Sequence, residues 1–164
     1  MDEKRELLHH FLAAIAYRLQ KALRGAPDTF PEFRAAPLVR TPHELVCHIT
    51  SVMGYARTFF IGGTFTGTRS DWQTDVQALH AMLADFGRHL VEGTQFRNTD
   101  EKHMLQGPLA DAMTHVGQIA MLRRLAGSPV PPENFIVASI SSTNLGPDQP
   151  DPVSPDKVWP ERPK

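Results

Sequence analysis

Apolar residues recur every three or four positions in four separate stretches of this chain, and that period points to packed amphipathic helices. The first stretch, residues 3–24, carries Leu8, Phe11 or Leu12, Ile15, Leu19 and Ala22 or Leu23 at helical spacing, and Gly25 and Pro27 end it. A proline-containing connection follows over 26–40. The second stretch opens on Thr41-Pro42-His43-Glu44, a capping box with proline at the first helical position. Its stripe reads Leu45, His48, Val52, Tyr55 and Phe59, and Gly62-Gly63 break it. The third opens at Ser70-Asp71-Trp72-Gln73 and presents Trp72, Val76, Leu79, Leu83, Phe86 and Leu90 before Gly93. The fourth is expected to start at Gly107-Pro108 and to run to about Ala126, with Gly127 as its cap and Pro129 beyond.

After Gly127 the composition changes. Nine of the 14 prolines fall in residues 129–164, and 135–140 reads as a short strand or an extended strap. The expected fold is all-α, a four-helix bundle over about 3–127 with an extended, proline-rich C-terminal segment wrapped over 128–164. The 164 residues suit one domain.

Charge and cysteine content narrow the function. The net charge is -1, from 17 basic and 18 acidic side chains, which offers no electrostatic case for nucleic acid or an anionic membrane. The single cysteine, Cys47, excludes an internal disulfide framework and, on this reading, a cysteine-based zinc site. Met1-Asp2-Glu3-Lys4-Arg5 leads into an amphipathic stretch rather than an apolar signal core, so a cytoplasmic address is the default expectation.

Three polar residues stand on faces that otherwise read as core. His48 lies between Leu45 and Val52, and Asp111 and His115 are four residues apart on the fourth stretch, so they point the same way. In a bundle of alternating direction the second and fourth helices run parallel. His48 follows Pro42, and Asp111 and His115 follow Pro108, at offsets that put all three roughly 5–10 Å from one end. Two imidazoles and a carboxylate suit zinc, nickel, iron or manganese, and three protein ligands leave a coordination position for water or substrate. Gln118, one turn beyond His115, is placed to hydrogen-bond that water or a ligand. Taken singly the residues have plainer readings. His48 alone is a hydrogen-bonded core histidine, and Asp111 alone is a first-turn acid facing the helix dipole. Tyr55 and Cys47 read as core, and His43, His9 and His10 as surface. His80, His89 and His103 show no partner pattern.

The segment His115-Val116-Gly117-Gln118-Ile119-Ala120-Met121-Leu122-Arg123-Arg124-Leu125-Ala126-Gly127 resembles the last helix of the DinB-like superfamily. These are bacterial four-helix proteins that include the YfiT-like metal-dependent hydrolases. Thr41-Pro42-His43-Glu44-Leu45-Val46-Cys47-His48 is similar to the helix that carries that family's first metal histidine. The resemblance implies a metal on three histidines, of which His48 and His115 match two. Asp111 departs from the third, which implies a harder site or a vestigial one. It implies a hydrolase or thiol S-transferase acting on a small molecule, possible use of a low-molecular-weight thiol, and a homodimer. A non-catalytic metal- or small-molecule-binding module is the alternative.

Overall fold

Each of the four helical rods starts where a side chain takes up an unpaired backbone N–H. The computed structural model describes residues 2–160 and 162. Helix α1, Glu3–Leu23, is capped by Asp2, whose side chain accepts from the Arg5 N–H. Helix α2, Pro42–Ile61, has the full reciprocal capping box between Thr41 and Glu44. Helix α3, Trp72–Val91, is capped by Asp71.

The fourth helical rod corrects the sequence reading. It begins not at Gly107-Pro108 but at Glu101, where Asp100 accepts from the His103 N–H. Helix α4 covers Glu101–Met104, a π-helical stretch covers Leu105–Leu109, and α5 covers Ala110–Leu125. Proline lacks an N–H and crowds the carbonyl four residues back, so it breaks a regular α-helix. The wider π turn carries Pro108 inside the rod instead. Asp111 therefore follows a continuous run of helix, and the dipole of a free N-terminus gives little account of it.

Helix directions also differ from expectation. Arg5, at the start of α1, reaches the Thr94 carbonyl just past α3, so α1 and α3 are antiparallel. Arg123, at the end of α5, reaches the Arg24 carbonyl at the end of α1, so those two are parallel. His43 meets Asp75 near the starts of α2 and α3, and Phe60 meets Phe86 near their ends, so α2 and α3 are parallel. Helix α2 is then antiparallel to α5. The packed pairs are α1–α3, α3–α2, α2–α5 and α5–α1.

The parallel pair needs a long return connection. Gly62 and Gly63 both take positive φ and turn the chain back. An extended chain covers about 3.3 Å per residue. Residues 62–71 are therefore enough to retrace the roughly 30 Å of α2. Phe65 lies on Gly54 in mid-α2, where a Cβ would stand 2.5 Å from Cε1 of the ring and closer still to Cγ and Cδ1. Arg69 then reaches Glu32 and His43 at the start of α2.

Leu12, Ile15, Leu19, Ile49, Met53, Leu79, Leu83, Phe86 and Ile119 make a core with no solvent contact. The buried face of α2 is Leu45, Val46, Ile49, Met53, Ala56 and Phe60, rotated from the expected stripe. Val52 is half-buried and Tyr55 is exposed, which overturns the reading of Tyr55 as core. On α5 the buried apolar residues are Ala112, Val116, Ile119 and Leu122, while Leu125 is exposed. His48, Asp111 and His115 thus sit at the edge of the core, along the α2–α5 seam.

Residues beyond Leu125 form no helix or strand among those described, apart from one bridge pairing Glu133 with Pro155. Residues 135–140 are turns and irregular chain, not a strand. Tyr17 Oη donates to Glu133 Oε1 at 2.8 Å, and Lys21 Nζ donates to the Pro131 carbonyl at 2.6 Å. Leu145 is buried against Gly87, which leaves room for it. No helix among the described residues is long and apolar enough to cross a membrane.

Candidate metal centre

Antiparallel packing of α2 on α5 brings the three sequence-selected residues together. His48 is near the start of α2, and the π turn and following helix carry Asp111 and His115 to the same level. One donor atom from each lies within 4.8 Å of the others. The match in depth is real, but the expected route to it was not. The antiparallel register, which sets Leu45 at the start of α2 beside Leu122 and Leu125 at the end of α5, is what brings the three level.

His115 is buried, His48 is half-buried and Asp111 is exposed. The two imidazoles meet edge to face, with centroids 4.5 Å apart. Asp111 Oδ1 lies 3.2 Å from Nε2 of His115. On the other side of that ring, Nδ1 is 2.9 Å from Gln118 Oε1. An amide oxygen only accepts, so it suits the tautomer with hydrogen on Nδ1, which leaves the Nε2 lone pair for a metal; without a metal, the Asp111 carboxylate beside Nε2 suits hydrogen there instead. This partner behind a histidine is the arrangement that orients metal-binding imidazoles. Gln118 therefore stands behind His115, where the sequence reading had it facing a bound water.

No hydrogen bond among the described residues engages the ring nitrogens of His48. Burial, then the neighbouring Arg40 and His115, push its pKa below the ordinary value, with Asp111 opposing. A neutral imidazole is the form that ligates. The seam opens into two cavities. One, of about 560 Å³, takes in His115 and Gln118 with Leu38, Val39, Arg40 and Leu122. The other, of about 720 Å³, runs from Asp111 to Val52, Tyr55 and Pro108.

A second cluster escaped the sequence reading. His43, read as surface, is buried, and its Nε2 lies 2.7 Å from Asp75 Oδ2. Cys47 Sγ donates to the same oxygen at 3.3 Å, and the Ser70 N–H does so at 2.9 Å. Glu32 Oε1 lies 3.1 Å from the other His43 nitrogen. Burial, then the bond to Asp75, push the Cys47 thiol up to about 11. His43, Cys47 and Asp75 thus also bring donor atoms within 4.8 Å of one another, a second group able to hold a metal that the reading of Cys47 had excluded; as it stands, three donors converge on one carboxylate and tie the end of the return loop to α2 and α3. The spacing of His43 and Cys47, four apart, was the available signal.

Other histidines also moved inward. His9 and His89 are buried, the latter stacked on Phe60. His80 is buried with Nδ1 3.0 Å from the Leu145 carbonyl and Nε2 without a hydrogen-bond partner among the described residues. His10 and His103 are exposed. No protein-family model, curated protein or solved structure matches the chain.

Proposed function

We propose that this chain is a DinB-like bundle with an extended proline-rich tail, and that it binds a divalent metal ion on His48, Asp111 and His115 to act on a small molecule. The observation that carries the reading is the convergence of two imidazoles and a carboxylate, from two helices, within 4.8 Å. The donor set fits zinc, nickel, iron or manganese. The metal would lower the pKa of a bound water or thiol and supply a nucleophile near neutral pH. Gln118 is a positioning residue, holding the His115 ring so that Nε2 faces the site. Leu38, Val39, Met121 and Leu125 are exposed around the adjoining cavity. An apolar rim with few polar groups suits a small, partly apolar substrate. Hydrolysis or thiol S-transfer is the reaction class, and a homodimer is the proposed assembly.

The short contacts of His115 with Asp111 and Gln118 favour a second reading, a hydrogen-bonded stripe without metal. Elemental analysis of the purified protein beside an Asp111→Ala, His115→Ala double variant separates the two. Near-stoichiometric metal in the parent and little in the variant supports the proposal. No metal after incubation with zinc, nickel, iron and manganese leaves the stripe reading. Turnover of ester and thiol substrates, lost with the metal, would then separate an enzyme from a binding module.

A further inference from the structure

On another face of α5, a separate cavity of about 330 Å³ lies between α1, α5 and the tail. Helix α5 contributes Gly117, Ala120 and Arg124, which recur at helical spacing on one face. Helix α1 contributes Arg18 and Lys21, and the tail contributes Glu133 and Phe135. None of these belongs to the α2–α5 seam.

Charge is the first reason to read the cavity as a ligand site. Its cationic side chains are Arg18, Lys21 and Arg124, and its carboxylate is Glu133. That carboxylate is engaged on one side, with Oε1 accepting from Tyr17, while Oε2 is ion-paired to Lys21 at 3.4 Å and has no hydrogen-bond partner among the described residues, so Lys21 offsets its charge. The Arg18 guanidinium lies over Phe135, 3.6 Å from the ring centroid. Its Nε is shielded from solvent and has no hydrogen-bond partner among the described residues. A buried donor on a cation is costly to leave unpaired, and an anion would complete it.

Gly117 is the second reason, and it is independent of charge. It lies inside α5, where glycine weakens a helix relative to any residue that propagates one. A Cβ there would meet nothing within 4 Å, and the backbone does not take positive φ. Packing therefore does not require glycine at this position. What its missing side chain leaves is open volume on the cavity wall.

We propose that this cavity binds a small organic monocarboxylate with a short apolar body. The carboxylate accepts from the Arg18 Nε–H, with Arg124 adding positive charge at the exposed edge. The body lies against Ala120 and Phe135, in the space that Gly117 leaves. A hydrated inorganic anion would gain nothing from these apolar walls.

The test is an amide-resolved NMR titration of the full chain with 4-phenylbutanoate, its neutral amide, and inorganic phosphate. The acid is expected to give saturable shifts centred on Gly117 and Ala120. The amide should bind about tenfold more weakly, and phosphate should not displace the acid. Arg18→Gln should weaken binding about tenfold. Gly117→Leu should abolish binding while keeping the helical circular dichroism of the parent. Non-saturating shifts, equal binding of acid and amide, displacement by equimolar phosphate, or undiminished binding by the folded Gly117→Leu variant would each overturn the proposal.

Discussion

Replacing Gly54 by alanine tests the return of the 62–71 loop along α2 directly. Alanine propagates a helix better than glycine by about 1 kcal/mol, so in an open helix the change stabilises. Here the new methyl group would stand 2.5 Å from Cε1 of Phe65 and closer to two other ring carbons. The half-buried ring must leave its seat, and forced overpacking of this kind costs about 1–3 kcal/mol. The net expectation is a loss of up to about 2 kcal/mol, or a melting point lower by about 4–8 °C at this chain length. Deleting the ring should reverse the sign. In a Phe65→Ala background, Gly54→Ala should stabilise by about 1 kcal/mol. Urea unfolding of the four proteins, with a common m-value, gives the coupling energy. If Gly54→Ala stabilises the parent as much as it stabilises Phe65→Ala, the loop does not lie where the parallel pairing of α2 and α3 requires.

Four further outcomes are expected. Zinc or nickel at about a hundred times its Kd should stabilise the fold by about 2.7 kcal/mol, and His48→Ala should lose most of that gain in a thermal melt. Asp75→Ala should cost about 2–4 kcal/mol by chemical denaturation, because His43, Cys47 and the Ser70 N–H lose their shared acceptor. With its thiol pushed up to about 11, Cys47 should react with iodoacetamide at pH 8 roughly a hundredfold more slowly than an ordinary thiol, and the rate should climb towards pH 11. Burial lowers the pKa of His80, so the unfolded chain binds the proton more readily. Stability should therefore be full above about pH 6.5 and fall as pH drops through the folded-state value, more shallowly in His80→Gln, as read from melts across pH 5–8.

Helix periods and caps were legible because they are local. Thr41, Pro42 and Glu44 define the start of α2 within a few residues of sequence, and Asp71 does the same for α3. The fourth rod was misplaced because Pro108 reads as a start signal, whereas a π turn absorbs it. The Asp100 cap was the better signal. Helix direction was not legible, since it depends on where a long glycine-hinged loop goes and not on any helix face. The site residues were found because polar groups on an apolar stripe stand out. The stripe itself was misjudged by about one position, which is why Tyr55 proved exposed and the site proved to be a seam rather than a buried core. His43 and His80 were misread because their partners, Asp75 and the Leu145 carbonyl, lie far away in sequence.

The helix directions carry a consequence for how the chain is made. Consecutive helices here never form an antiparallel hairpin. Helices α1 and α2 face each other across the diagonal, α2 and α3 pack in parallel, and α3 and the fourth rod are again diagonal. A nascent chain leaving the ribosome therefore has one consecutive packed pair, the parallel α2 and α3, and that pair forms only once the 62–71 loop has returned along α2. Helix α1 waits for α3, and the seam that gathers His48, Asp111 and His115 closes last, once α5 has been synthesised. Contacts so distant along the chain slow folding relative to a simple up-and-down bundle.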